Sequence, residues 1–368
     1  MNNSITYVGL DVHKESIAVA LAPAANPEVR SYGTIAGDLE AVDKMLRKLK
    51  SLGQVPRVVY EAGPCGYAIY RHLTKIGVDC VVVSPSRIPK CSADRLKTDR
   101  RDAIALARLH RAGELSPVYV PDAADEAVRD LTRSREDAVW AYRRVRHQLG
   151  ALLLRQNIRY TGRTPWTQAH LRWLSEVVLP HPAQQIVFQE YLTAVDECHK
   201  RVDRITEQIR DAVSSWRMAP VVHALQALRG VSLIVAATTI AELGDLTRFD
   251  KPSQLMAFLG LVPSQYSSGP RIRLGAITKT GNSHARRMIV ETAWAYHFPA
   301  KVARHLRVRQ EGLSPQVCKI AWDAQLRLCK RYQRMMARGK PKQVIVTAIA
   351  RELVGFMWAI AREVPLAA

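Results

Sequence analysis

The sequence predicts an α/β N-terminal domain, a long coiled-coil helical connector and a mainly helical C-terminal domain. Three observations support this order. β-rich runs precede and then alternate with helical patterns in the first third of the chain, two long stretches repeat apolar residues at steps of three and four, and positive charge is concentrated near the C-terminus. We place the domains at residues 1–122, 123–218 and 219–368.

The N-terminal domain opens with a predicted β-meander. Gly53 ends the first helical pattern, and a short strand after it ends at Glu61. The predicted elements are, in order, strands at 5–10, 16–21 and about 28–35, a helix at 38–52, a strand at 57–60, a helix at about 66–76, a strand at 78–83 and a helix at about 94–112. Three strands in a meander followed by alternating strands and helices are typical of a ribonuclease-H-like domain.

Apolar residues in the connector have coiled-coil spacing. Seven of the nine positions at alternating steps of three and four between 128 and 156 are apolar or aromatic, and the same stepping continues from Tyr191 to Trp216. Two long helices joined by a Pro-containing segment can fold back as an antiparallel hairpin or pair with another chain. The sequence leaves both arrangements open.

The C-terminal domain begins with a helix, a glycine turn and a second helix around Gly230. This layout either presents backbone amides to a phosphate or serves packing alone. A polar loop at 264–270, a basic strand-like run at 271–274 and a helix from Ser283 are expected next. The apolar stretch at 344–361 carries charged residues at its middle, which favours a buried amphipathic helix over a membrane span.

Charge identifies the first class of partner. The chain carries a formal charge of +21, divided as +4, +3 and +14 among the three predicted domains. A basic C-terminal domain favours nucleic acid, although some basic proteins bind none. The six cysteines show no metal-ligand or disulfide spacing, and the N-terminus lacks the pattern of a secretory signal. We therefore expect a cytoplasmic protein that binds no membrane.

Four carboxylates are candidates for a metal site. Asp11 interrupts an apolar strand, where an unpaired carboxylate would be costly, and Glu61 ends the strand expected beside it. Asp99 and Asp102 are three residues apart on one predicted helix, so they share a face. Phosphodiester chemistry with two Mg²⁺ ions needs such a convergence of carboxylate oxygens.

Each acid also has an ordinary structural explanation. Asp11 can start a hairpin turn, Glu61 can cap a loop, and Asp99 and Asp102 can pair with nearby arginines on a solvated face. The joint placement of all four on neighbouring elements favours the metal site, because one fold accounts for all of them.

Several motifs resemble a known family. The blocks at 9–14, 60–64 and 97–103 look like the three acidic blocks of the DEDD insertion-sequence transposases, whose first domain is similar to the RuvC Holliday-junction resolvase. The blocks at 228–231, 258–263, 267–269 and 277–282 resemble the second conserved domain of that family, in the same order. The pilin-gene invertase is a relative within this family. The resemblance covers nearly the whole chain.

The resemblance implies a specific chemistry. A serine would attack a DNA phosphate and hold the strand as a phosphoserine ester, and of the pair Ser267 and Ser268 we assign Ser268, which directly precedes the glycine. The family implies double-stranded DNA as substrate, a structured guide RNA encoded beside the gene, and a homo-oligomer from dimer to tetramer. The acids would hold Mg²⁺. Basic residues beside the serine are expected to contact phosphates: Arg271, Arg273, Lys279, Arg286 and Arg287.

Three other functions fit parts of the sequence. A metal-dependent junction nuclease would use the acids while Ser268 is inert. A nonenzymatic DNA- or RNA-binding protein would use only the basic surface, with its acids in surface ion pairs. A sugar-kinase-like ATPase shares the opening strand and hairpin, but the chain lacks the later Gly-rich adenosine loop expected of one, and we rank it last.

Overall fold

The computed structural model describes residues 4–89, 98–268 and 271–365. The chain forms two compact units, Met1–Val120 and Pro121–Ala368. The first corresponds closely to the predicted N-terminal domain. The boundary expected at 218/219 falls inside the second unit, and the division of that unit into a connector and a C-terminal domain stays a prediction.

The first unit is built on one five-stranded sheet. The helices and strands of this unit are β1 Ser4–Val12, β2 Ser16–Pro23, β3 Arg30–Ala36, α1 Leu39–Ser51, β4 Gln54–Glu61, α2 Ala68–Lys75, β5 Asp79–Val83 and α3 Asp99–Ala112. The strand order is β3-β2-β1-β4-β5; β1, β4 and β5 are parallel, while β2 is antiparallel to both β1 and β3. The predicted meander followed by alternating strands and helices is confirmed. Residues 94–97 of the last predicted helix lie outside the described residues.

Helices cover both faces of this sheet, which explains why the inner strands are apolar on both sides. One face carries Leu10 and Tyr60 and packs against the apolar sides of α1 and α2. The other face packs against α3 through small residues, among them Ala20 and Ala103. Because side chains alternate along a strand, Gly9 and Asp11 point to the α3 face.

Two long helices form an antiparallel hairpin in the second unit. They are α4 Ala123–Arg155 and α6 Pro182–Ser214, with the short helix α5 Gln168–Glu176 between them. Arg135 donates to Thr206 at 2.8 Å, and Tyr142 stacks on His199. From the first contact to the second, the chain advances seven residues on α4 and goes back seven on α6, so the two helices run antiparallel. Of the two arrangements left open by the sequence, the structure shows the intrachain hairpin.

The rest of the second unit is a helical core. Its helices are α7 Ala219–Leu225, α8 Leu233–Leu243, α9 Pro252–Phe258, α10 Ser283–Ala293, α11 Arg304–Gln310, α12 Pro315–Ala337 and α13 Lys342–Glu363. Val231, in the turn before α8, is fully buried, so this turn takes part in core packing. Helix α13 is long and apolar enough to cross a membrane by length and composition, but Ile345 and Leu353 on it belong to the buried core.

A two-stranded sheet replaces the polar loop predicted at 264–270. Strand β6 spans Pro263–Ser268 and pairs in antiparallel fashion with β7, Arg271–Ile277. The prediction of a loop was wrong because polar side chains were taken to mean an irregular backbone. Here the polar strand is exposed and is held by its basic partner strand, so it needs no buried face.

Candidate functional site

The first acid lies at the end of the central strand. Asp11 follows Leu10, which pairs with Tyr60 of the parallel strand β4, and Glu61 follows Tyr60. The two acids therefore end adjacent parallel strands at the same level. Both point to the α3 face, since each is an even number of residues from a side chain packed there. The Asp11 side chain is 18% exposed.

Helix α3 approaches this edge of the sheet unusually closely. A Cβ placed on Gly9 would lie 2.6 Å from the backbone nitrogen of Ala107 and nearer still to the carbonyl oxygen of Ala103. Real Cβ atoms do not make such contacts, so only glycine allows this packing. Ala103 is one turn from Asp99, and Gly9 is two residues from Asp11. The close approach thus brings the start of α3 to the end of β1.

Three ligand-type side chains meet at this point. The Nε2 atom of His13 lies 3.3 Å from Oδ2 of Asp11 and 3.5 Å from Oδ1 of Asp99. One ligand atom from each of the three lies within 4.8 Å of the others. His13 was not predicted as a site residue. Its position two residues after Asp11, just beyond the strand, is the signal that could have identified it.

The other two acids lie on the adjoining side of the same face. Leu106 of α3 packs against Val59 of β4. Asp102 is one helical turn before Leu106, and Glu61 is two residues after Val59 on the same strand face. The structure therefore directs Asp102 and Glu61 toward the same end of the sheet, as the sequence predicts.

Electrostatics at Asp11 are those of an acid cluster. Burial raises the pKa of Asp11; His13 lowers it, and the neighbouring Asp102 and Asp99 raise it, with a net rise. A single histidine thus offsets only part of the negative charge. Oxygen donors in this arrangement suit a hard divalent cation, so the donor set fits the implied metal.

The predicted nucleophile lies on β6. Ser268 pairs with Arg271 at the tip of the two-stranded sheet; its side chain and residues 269–270 lie outside the described part. The Oγ atom of its neighbour, Ser267, accepts a hydrogen bond from Gln265 at 2.8 Å. Strand β7 is almost wholly exposed, so Arg271 and Arg273 point into solvent.

The other three predicted phosphate contacts differ in their surroundings. Lys279 is exposed and has a positive φ of 55°. Arg286 donates to the carbonyl oxygens of Leu259 and Thr280, at 2.9 and 2.7 Å. Arg287 pairs with Glu136 of α4 at 2.7 Å. Arg286 thus positions the segment at 278–282, and Arg287 ties α10 to α4.

Two glycines bring this segment against the end of α9. A Cβ on Gly281 would collide with the carbonyl oxygen of Phe258, and one on Gly260 would collide with Thr280. Both glycines have positive φ, 69° and 63°. The backbone of Lys279 donates to Gly260 at 3.1 Å. The conformation of the segment thus depends on residues without side chains.

A buried glutamate ties the same segment to α4. The side chain of Glu242 is 0% exposed, accepts two hydrogen bonds from Arg133 at 2.7 and 3.0 Å, and accepts one from Asn282 at 2.6 Å. Burial raises the pKa of Glu242, but the bonds from Arg133 and Asn282, together with the charge of Arg129, outweigh this and hold it below its ordinary value. Sequence reasoning missed Glu242, although it is the only charged residue of α8.

Comparisons with known proteins agree with these features. Residues 8–158 match the DEDD transposase family of the IS110 type, which implies a ribonuclease-H-like fold there. Residues 222–306 match the transposase IS116/IS110/IS902 family. The putative transposase y4qE of Sinorhizobium fredii is 45% identical over 97% of this chain and 88% of its own length.

More distant relatives have the same description. The transposase for insertion sequence element IS1533 of Leptospira borgpetersenii is 31% identical over 91% of this chain and 97% of its own length. A probable family 20 transposase of Pseudomonas aeruginosa is 26% identical over 83% of this chain and 85% of its own length. Matches of this extent leave no large part of the chain unaccounted for, and the protein belongs to the IS110 family of insertion-sequence transposases.

Proposed function

We propose that this transposase cuts and rejoins DNA strands through a phosphoserine intermediate formed by Ser268. Asp11, Glu61, Asp99 and Asp102 hold Mg²⁺ in this mechanism. The observation that carries the proposal is the convergence of Asp11 and Asp99 at one end of the sheet, with Glu61 and Asp102 directed to the same end. Surface ion pairs alone would not need an acid at the end of a buried central strand.

The four acids would hold the cation at this end of the sheet. When bound there, Mg²⁺ supplies Lewis-acid stabilisation of the negative charge that develops on phosphate oxygens. His13 contacts both Asp11 and Asp99, so it fixes the directions of the two carboxylates. It belongs to the site as a positioning residue.

The serine step conserves the energy of the broken bond. Ser268 loses its hydroxyl proton, and its Oγ forms a new bond to a DNA phosphorus. The bond from that phosphorus to a deoxyribose oxygen breaks, and this oxygen leaves as a hydroxyl group after taking up a proton. Attack by a hydroxyl of another strand reverses these bond changes and rejoins DNA, so no nucleotide cofactor is required.

The basic β-hairpin provides the surface for DNA in this mechanism. Arg271 and Arg273 flank Ser268 and are free to face phosphates from the exposed strand. Ser268 must reach a phosphate bound at the acids, either within one chain or between subunits of a homo-oligomer, from dimer to tetramer. The guide RNA and the cytoplasmic location are both proposed from family resemblance.

Covalent trapping tests the serine step. Full-length protein is incubated with DNA carrying the element ends, the RNA transcribed from the flanking region and Mg²⁺, then denatured and examined for a protein–DNA adduct. We expect an adduct with wild type and with Ser267→Ala, and none with Ser268→Ala. Ser267 is a matched control because it lies on the same exposed strand.

Other outcomes would select a different function. Mg²⁺-dependent cleavage by Ser268→Ala, together with none by Asp11→Asn, would identify a junction nuclease and refute the serine mechanism. Nucleic-acid binding without metal-dependent cleavage by any variant would favour a nonenzymatic role. Adduct formation that needs no RNA would remove the guide RNA from the proposal.

A further inference from the structure

A cavity on the helical hairpin combines arginines with indole rings. It lies beside the second half of α4 and has a volume of about 770 Å³. Its lining residues are basic or aromatic, and none is a carboxylate: Trp140, Arg143, Arg144, Arg146, His147 and Trp166. Volumes of this size accommodate a small organic group such as a nucleotide.

One arginine in this cavity lacks a hydrogen-bond acceptor. The guanidinium of Arg146 lies 4.2 Å from the ring centre of Trp166 and 5.1 Å from that of Tyr142. Its Nε atom is buried, and in the described part of the chain no group accepts a hydrogen bond from it. A buried donor without a partner is costly, so the protein alone does not satisfy this site. Arg146 also lines the cavity, so an anion bound there would lie beside its positive charge.

The positive charge at the cavity is not neutralised by Glu136. Burial lowers the pKa of Arg146; Tyr142 raises it, and the adjacent positive charge of Arg143 lowers it again. Glu136, one helical turn before Trp140, already pairs with His284 at 2.8 Å and with Arg287. The lining therefore repels cations and favours an anionic ligand.

Two indole rings provide the apolar part of the site. The Trp140 side chain is 53% exposed and has the guanidinium of Arg143 at 5.5 Å from its ring. Trp166 has a positive φ of 65°, which is rare for an aromatic residue, and its ring lies against the guanidinium of Arg146. Flat aromatic faces next to arginines are what unpaired bases and their phosphates use in proteins that bind single strands.

We propose that this cavity binds a nucleotide in a single-stranded segment of nucleic acid, with the base stacked on Trp140 and the phosphate held by Arg143, Arg144 and Arg146. Duplex DNA keeps its bases stacked inside the helix, so it cannot supply a base to this surface. An acidic peptide would use the arginines but would leave the exposed indole without a partner. The lining of the cavity includes none of the four acids and not Ser268, and binding there requires neither metal nor catalysis.

Fluorescence anisotropy with defined probes tests the site. Labelled oligo(dT) and oligo(rU) of about 20 nucleotides, long enough for a single-strand site, and a duplex of equal length are titrated with full-length protein in EDTA. Trp140→Ala should weaken single-strand binding about tenfold, because one stacked base is lost, while duplex binding changes by less than about twofold. Trp140→Phe keeps an aromatic face and should restore most of the affinity.

A matched pair of double variants tests the charged part. Arg143→Ala with Arg144→Ala should weaken single-strand binding and reduce its salt dependence by about one or two ions. Arg201→Ala with Arg204→Ala removes the same charge from exposed positions on α6 and should have a smaller effect on both. The strand type whose binding depends on Trp140 identifies RNA or DNA as the source of the nucleotide.

Several results would overturn the proposal. Unchanged affinity of Trp140→Ala for both single strands would exclude base stacking, and an equal loss for duplex would show a general defect. If the two double arginine variants lost equal affinity for single strands, the arginines of the cavity would act only through nonspecific charge. Competition by poly-glutamate as strong as that by oligonucleotide would assign an acidic peptide instead. None of these results depends on the Ser268 adduct, so the two proposals fail separately.

Discussion

Replacing Gly9 with alanine tests how the acidic helix is positioned. The added methyl group would lie 2.6 Å from the nitrogen of Ala107, where ordinary contact begins at 3.4 Å. Both obstructing atoms belong to the α3 backbone, so no side-chain rotation relieves the clash. Helix α3 must move away from β1 by about 1 Å, and Asp99 moves with it.

The expected magnitudes follow from this displacement. Overpacking of this kind costs about 1–3 kcal/mol, which for a unit of this size lowers the thermal midpoint by about 3–15 °C. A misplacement of about 1 Å reduces catalytic rates by about a hundredfold, and adduct formation should fall accordingly. Unfolded-chain entropy alone predicts that Gly9→Ala stabilises the protein, because alanine is less flexible than glycine in the unfolded chain.

The assay compares thermal unfolding with and without Mg²⁺. A cation that binds only the folded state raises the midpoint, and the size of the rise reports its affinity without requiring catalysis. We expect Gly9→Ala to lower the midpoint of the first unit and to shrink the Mg²⁺-dependent rise. Gly150→Ala is the matched control, since a Cβ there, near the C-terminal end of α4, meets nothing within 4 Å. It should leave the Mg²⁺ effect intact and increase helix stability by about 0.5–1 kcal/mol.

A specific result would refute this reasoning. If Gly9→Ala kept both the wild-type midpoint and the full Mg²⁺-dependent rise, the close approach of α3 would not position the acids. If the midpoint fell while the Mg²⁺ effect was retained, the glycine would serve packing alone.

The other predictions concern the buried glutamate, the second glycine and the metal. Glu242→Gln should lower the free energy of unfolding by about 1.5–3 kcal/mol in a urea titration, because the half-exposed Arg133 and the buried Arg129 lose a charged partner. Asp196→Asn, at an exposed ion pair, should cost less than about 1 kcal/mol in the same titration. The folded-state pKa of Glu242 is lowered from 4.5, so this stabilisation is present above about pH 4.5; the difference between wild type and Glu242→Gln should shrink as the pH falls below that value. Gly281→Ala should destabilise the second unit by about 1–3 kcal/mol in calorimetry, because the added Cβ collides with the carbonyl oxygen of Phe258. Wild-type stability of this variant would contradict the close contact between residues 258 and 281. Asp11→Asn should remove the Mg²⁺-dependent rise in midpoint while the far-ultraviolet circular dichroism stays native; a retained rise would place the cation elsewhere.

Periodicity predicted the elements that bury apolar faces. The meander, α1 and the two long helices have strong patterns because one face of each element packs on a core. Strand β6 has no such face, since its stability comes from pairing with β7, and it was predicted as a loop. Whether α4 pairs with α6 or with another chain depends on the loop between them, and the stepping of apolar residues carries no information on it.

The positions of three of the acids in the fold were predictable from local patterns. Asp11 breaks an apolar strand, and Asp99 and Asp102 share a helix face. His13 and Glu242 were missed for different reasons. His13 lies in a turn where polar residues are common, and the role of Glu242 depends on Arg133, 109 residues away in sequence. Contacts across such distances follow from packing and cannot be derived from spacing.

The centre of the interface between α3 and strands β1 and β2 is made of alanine and glycine, and this affects how the metal site is kept in order. Alanine and glycine have no rotamers, so this part of the interface forms at no cost in side-chain conformational entropy. Larger residues could pack in several ways, each with α3 at a slightly different distance from the sheet. Because Ala18, Ala20 and Ala22 face Ala103 and Ala107, contact near the backbone allows a single distance. The distance from Asp99 to Asp11 is therefore determined by main-chain geometry, and it should vary little with temperature while the first unit remains folded.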